Sequence, residues 1–250
     1  MSLAYLVTWL MVLLRTTGVI LQLPILAGRS IPVTVQVGLS MCIATLLVGV
    51  VPRAEVPTTM WPLLYAAGGE VLIGLAMGFV GRMAFAAVDM AGRIITGEIG
   101  LNASAALGVP EPSTEPLAAL LSTFAIVMFF LFGGHLIMLS ALARSFDIVL
   151  AGRPVLTGAA GETMIRATSH MIELGFRISA PFIAMNFLVS LAFSALGRVV
   201  PKLNPFVISF SVRLIAGLTL LSSSGALIAR YLYLEFDLTP MTMLQLVAGR

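Results

Sequence analysis

Six apolar runs, each near the length of a bilayer-crossing helix, constrain this chain more than any other feature. They cover residues 3–26, 33–51, 63–88, 117–142, 178–196 and 207–234. A helix that crosses a bilayer needs about 20 predominantly apolar residues. Breakers separate the runs, first Gly28-Arg29-Ser30-Ile31-Pro32 and then the proline-bounded segment 52–62. The pattern predicts an all-α chain of integral-membrane type, built from helical hairpins with about six long, kinked apolar helices. Composition closes the alternatives. Only 10% of residues are charged while 59% are hydrophobic, against about 25% charged in a soluble domain. That is too little charge to cover a water-facing surface and too much apolar residue for disorder.

The first run has no basic leader, carries Arg15 at its middle and is followed by no A-x-A-like cleavage site. It reads as a retained helix rather than a cleaved signal. Arginines decorate nearly every connection, so the positive-inside rule assigns no orientation. Lys202 is the single lysine and no basic cluster exists, which gives nucleic acid no footprint. Cys42 is the only cysteine, and His135 and His170 are the only histidines. A thiolate metal site and a disulfide framework are both excluded. Phosphate-binding, dinucleotide, zinc-protease and nucleophile-elbow motifs are absent, and the acids stand singly. No cofactor, metal or catalytic residue is expected. What remains is a membrane component that conducts, gates or scaffolds.

Several polar residues sit inside apolar runs: Arg15, Glu70, Arg82, Arg213 and Arg230. Each costs about 2.5–3.5 kcal/mol at a lipid-facing helix centre on insertion scales. Burial against protein or water is therefore expected for several of them. A carboxylate or carbonyl partner is expected for Arg213, with Glu70 as the first choice. Gly74 and Gly78 form a small-xxx-small face behind Glu70, suited to close helix approach. Arg15, Gly18 and Gln22 mark one face of the first helix; Arg213, Gly217 and Ser224 mark one face of the last. Glu162, Arg166, His170, Glu173 and Arg177 make a polar stripe with two acid-first i,i+4 pairs. That stripe is either a solvent-exposed helix end or a face packed on a partner.

Residues 89–107 are rich in glycine and small side chains. The segment Gly108, Val109, Pro110, Glu111, Pro112, Ser113, Thr114, Glu115 and Pro116 follows, and its three prolines stop a helix. It is either a surface loop or a stiff acidic loop that lines a cavity, where irregular backbone survives at membrane depth.

The order of these features resembles the FliR family of flagellar export-gate proteins and their injectisome counterparts, over essentially the whole chain. Pro24 to Pro32, with Arg29 and Ile31 between, resembles the family's P-x-x-x-x-R-x-I-P turn. Glu70 with Ile73 to Phe79 and Ala84 to Val88 resembles its second block. Gly100-Leu101-Asn102, Gly134-His135-Leu136 and Ser145-Phe146 continue the pattern. Gly197 to Phe206, then Arg213 and Gly217, close it. Two departures stand out. Gly133 replaces the usual asparagine before Gly134-His135, and Val109-Pro110-Glu111-Pro112 stands where the family has Asp-Pro.

The resemblance implies a non-enzymatic subunit of the type III export gate. It would form and plug the channel through which unfolded flagellar substrates cross the bacterial inner membrane at the basal body. It implies P-type and Q-type partners (FliP and FliQ), with the B-type subunit FlhB, the large ring protein FlhA and membrane lipid around them. One copy would join several P-type and Q-type copies in a helical ring. Residues 1–160 would be an N-terminal helical part including the plug-like region 89–116, and 161–250 a C-terminal helical hairpin. The candidate plug is Gly108 to Pro116. Arg15, Glu70, Gly74, Gly78, His135 and Arg213 are the buried polar and assembly candidates. The competing reading is a stand-alone secondary transporter or ion channel with Glu70 and His135 as a proton relay.

Overall fold

The structure is a computed structural model that describes residues 3–24, 31–52, 59–101, 115–154, 158–199 and 205–249. Among these it is all-helical, with α1 (Leu3–Gln22), α2 (Val33–Leu47), α3 (Met60–Ile99), α4 (Pro116–Leu131), α5 (Gly134–Ile148), α6 (Gly158–Val199) and α7 (Pro205–Ala248). Four of them (α1, α3, α6 and α7) are long and apolar enough to cross a membrane; α4 and α5 together make a fifth candidate.

Element ends follow local chemistry. α1 stops two residues before Pro24, since the residue preceding proline is pushed out of the helical region. Pro32 directly precedes α2. α3 runs for 40 residues, about 60 Å. It absorbs residues 89–99, so the glycine-rich stretch begins as helix and not as loop. Its end is a Schellman cap: Gly100 takes φ +88°, and Leu101 N–H donates to the Thr96 carbonyl at 3.1 Å.

The apolar run 117–142, expected as one helix, is broken. α4 and α5 meet at an angle of 67°. Gly133 provides the break with φ +68°, a conformation other residues adopt at a cost. Its carbonyl then accepts from Leu136 and Ile137, restarting the helix. α6 is continuous for 42 residues through Pro181, and carries the polar stripe and the fifth apolar run on one helix. α7 is longer than its apolar run, 44 residues, with Pro240 inside.

Two compact units divide the chain. One comprises Met1–Ala84, Phe129–Ser169 and Leu234–Arg250; the other comprises Phe85–Met128 and His170–Tyr233. In the first, α1 lies directly on α3. A Cβ added at Gly18 would come within 2.8 Å of the Leu75 amide nitrogen, and one at Gly78 within 2.7 Å of Gln22 Cβ. A Cβ at Gly74 would fall on the Arg15 carbonyl. Small residues thus bring the two backbones together, the usual way apolar helices gain dispersion contact. In the second unit Gly92 packs on Ala118 and Gly217 packs on Ile99 in the same manner.

Candidate functional site

The most developed polar constellation is buried in the first unit. Arg15 on α1 and Glu70 on α3 are both fully excluded from solvent. Arg15 Nε donates to Glu70 Oε2 at 2.6 Å and Nη2 donates to Oε1 at 3.1 Å, a side-on bidentate pair. Nη1 donates to Ser145 Oγ at 3.1 Å, and Nη2 also donates to the Val149 carbonyl at 3.0 Å. Ser145 Oγ donates onward to the Leu142 carbonyl. The guanidinium carbon lies 4.1 Å from the centroid of the Phe146 ring, a cation–π contact worth up to about 2 kcal/mol once desolvated.

Glu70 is satisfied from the other side. The Gly152 N–H donates to Oε1 at 2.8 Å. Gly152 has φ +81°, a backbone conformation that favours glycine. One ion pair thus ties α1, α3, the end of α5 and the connection into α6. Two charges removed from water cost several kcal/mol each, and are tolerated when geometry and remaining hydrogen bonds are good. Here both conditions hold.

This arrangement corrects the expected Glu70–Arg213 pair: the carboxylate is occupied by Arg15 and Gly152. Arg213 belongs to a separate cluster in the second unit, where its Nη2 donates to Ser190 Oγ at 3.2 Å. Ser190 Oγ donates to the Asn186 carbonyl, and Asn186 Nδ2 donates to Glu98 Oε2. Arg213 Nε and Asn186 Oδ1 are buried without a hydrogen-bond partner among the described residues. His135 is half-buried between aromatic rings, 5.2 Å from Phe130 and 6.4 Å from Phe129 by centroid, and its Nδ1 has no such partner either.

Gly74 and Gly78 lie where α1 crosses α3. Of the candidate plug, Gly108 through Thr114 lie outside the described residues. Glu115 directly precedes α4, its carbonyl accepting from Ala119, and Pro116 opens that helix. The polar stripe on α6 is exposed, with Arg166–Glu162 and Arg177–Glu173 both at 2.6 Å. Sequence reasoning missed Ser145, Val149 and Gly152 as parts of the charge lock. Two of these contribute through backbone atoms, which no residue type advertises. Glu98, Asn186 and Ser190 were missed as well, although Asn186 and Ser190 stand one helical turn apart inside an apolar run.

Nothing in either cluster pairs a nucleophile with a base; each joins helices. Residues 6–238 match the sequence pattern described as bacterial export proteins, family 1. The chain belongs to that family. This family 1 export protein is 33% identical over 220 residues to the flagellar biosynthetic protein FliR of Escherichia coli K12, covering 88% of this chain and 84% of that one. It is 25% identical over 247 residues to the flagellar biosynthetic protein FliR of Bacillus subtilis 168, covering 96% and 94%. It is 27% identical over 213 residues to the Yop proteins translocation protein T of Yersinia pestis, covering 83% and 82%.

Proposed function

We propose that this chain is a non-enzymatic subunit of the type III flagellar protein export gate. The family match across residues 6–238 carries the reading. It draws support from how little of the chain's apolar surface is covered. Only 17% of the most apolar stretch of α6, and the same share of α7, is buried, against 61% in α3. Helices left so open require lipid or partner subunits around them. P-type and Q-type subunits (FliP, FliQ) are the proposed neighbours, with FlhB and FlhA further out, in the bacterial inner membrane. Within this reading, residues 161–250 form the C-terminal hairpin and Gly108 to Pro116 forms the plug. Three fixed φ angles limit the entropy that holding the plug in place would cost.

The stand-alone transporter reading needs Glu70 to exchange a proton with His135. Glu70 accepts hydrogen bonds from Arg15 and Gly152 across its two oxygens, which commits it to a structural pair that His135 does not join. The deciding experiment expresses a tagged chain in a strain that lacks its own copy. P-type and Q-type subunits should co-purify, and secretion of flagellar subunits should return. A stable homo-oligomer that binds neither partner and drives solute flux in liposomes would reverse the assignment. Deleting Pro110 to Thr114 in the assembled gate should raise small-ion leakage with subunit content unchanged. Unchanged conductance would return that segment to a surface loop.

A further inference from the structure

Within the second unit, α6 is seated along one stretch and open along the next. Leu174, Gly175, Ile178, Ser179 and Phe182 form a buried stripe at helical spacing. A Cβ added at Gly175 would come within 3.2 Å of the Ala87 carbonyl oxygen, so this stretch lies directly against α3. The stripe ends one residue past Pro181. From Ile183 to Val199 no residue of α6 is buried, and Phe187, Leu188 and Leu191 are exposed. Pro181 supplies no N–H to the helical ladder at that boundary, which makes it the point where the helix bends at least cost. Without a buried apolar residue, 183–199 belongs to the low-stability end of its unit.

Polar contacts hold this arm. Asn186 Nδ2 donates to Glu98 Oε2 of α3 at 2.5 Å, and Ser190 Oγ accepts from Arg213 Nη2 of α7 at 3.2 Å. Two opposite charges are thus each matched to a neutral group of α6, and not to each other. The match is incomplete. Asn186 Oδ1 and Arg213 Nε are buried without a partner among the described residues, and each such atom costs free energy. Meanwhile α3 and α7 touch directly. Gly217 packs on Ile99, and the Phe210 ring stands 3.4 Å from the site of a Cβ at Gly100. Glu98 immediately precedes Ile99, and Arg213 lies one turn from both Phe210 and Gly217. The two charged residues flank a helix contact in which α6 takes no part.

We infer that residues 183–199 form an arm hinged at Pro181 and latched through Asn186 and Ser190, and that Glu98 and Arg213 pair with each other when the arm lifts. Lifting by itself would strand two charges in apolar surroundings. A direct Glu98–Arg213 pair removes that penalty, because each charge exchanges a neutral partner for a charged one. The orphaned Arg213 Nε gains an acceptor in the same step. One state satisfies the charges through α6 and the other satisfies them without it. Two nearly balanced pairings of the same groups make the bistable element that a conformational change requires. The device is local to the second unit and does not depend on the export-gate reading.

Amide hydrogen exchange, read by mass spectrometry on the chain with whatever subunits co-purify, tests this through the sign of one substitution. In the unaltered chain, 183–199 should exchange several-fold faster than 174–182. Glu98→Gln leaves an oxygen for Asn186 to donate to but cannot form the ion pair, so the larger loss falls on the lifted state. Exchange in 183–199 should therefore slow several-fold. Arg213→Gln should slow it as well, and the double substitution should do no more than either alone. Arg213→Lys keeps the charge and should stay near the unaltered rate. Asn186→Ala removes the latch and should speed exchange in 183–199 while 85–99 keeps its protection. In static packing, by contrast, Glu98→Gln only weakens a charge-assisted hydrogen bond and speeds exchange. Faster or unchanged exchange in Glu98→Gln overturns the inference. So does additive slowing in the double variant, loss of protection in 85–99, or an unaltered arm as protected as 174–182.

Discussion

At the scale of single residues, the Arg15–Glu70 pair concentrates the energetic risk of this fold. Removing one partner strands a fully buried charge, so Arg15→Leu or Glu70→Leu alone should destabilise the first unit by about 3–5 kcal/mol. The double substitution should cost clearly less than the sum. Thermal melting of the purified assembly, run as a double-mutant cycle, measures that coupling. Arg213→Leu combined with Glu70→Leu should instead be additive within about 0.5 kcal/mol, because the two side chains share no partner. A sizeable Arg213–Glu70 coupling would restore the pairing expected from sequence. The sequence did show that Arg15 and Glu70 sit in apolar surroundings and need partners. It could not show which acid meets which arginine. That depends on which helices cross, and backbone groups of Val149 and Gly152 complete the choice.

At the scale of elements, two glycines of α2 and α3 separate packing from propensity. Gly74→Ala places a methyl on the Arg15 carbonyl and should lower the melting temperature. Gly38 has nothing within 4 Å of the site a Cβ would occupy. Gly38→Ala should therefore stabilise by up to about 1 kcal/mol through helix propensity alone. Gly133 supplies a third test. At φ +68° a valine costs about 1–2 kcal/mol, so Gly133→Val should loosen the bend between α4 and α5. Accelerated proteolysis or amide exchange at 131–134 would report it, and unchanged protection would mean the bend does not need glycine. The bend itself was not legible, because run 117–142 is apolar on both sides of Gly133 and one glycine inside a helical pattern is usually tolerated.

At the scale of the whole molecule, the described residues leave the long apolar helices α6 and α7 largely open. Expressed without partner subunits, the chain should be extracted poorly and aggregate as detergent is diluted. Co-expression with P-type and Q-type subunits should raise the yield of monodisperse material several-fold, as read by size-exclusion chromatography. A well-behaved monomer from the chain alone would argue against an obligate gate subunit.

Composition and the spacing of apolar runs were enough to determine an all-helical, membrane-type chain, because charge content and run length are properties of the sequence itself. The order of short blocks from Pro24 to Gly217 was enough to indicate the family. Helical spacing alone put Gly18 and Gln22 on the face of Arg15, and the structure lays that face on Gly74 and Gly78. Tertiary structure alone decided that Glu70 belongs to Arg15, that α4 and α5 are two helices, and that α2 turns Gln36, Ser40 and Ala44 inward. Each of these depends on which faces meet across large sequence separations. Periodicity along one helix does not carry that information, since an apolar helix looks alike from every side until a neighbour selects one.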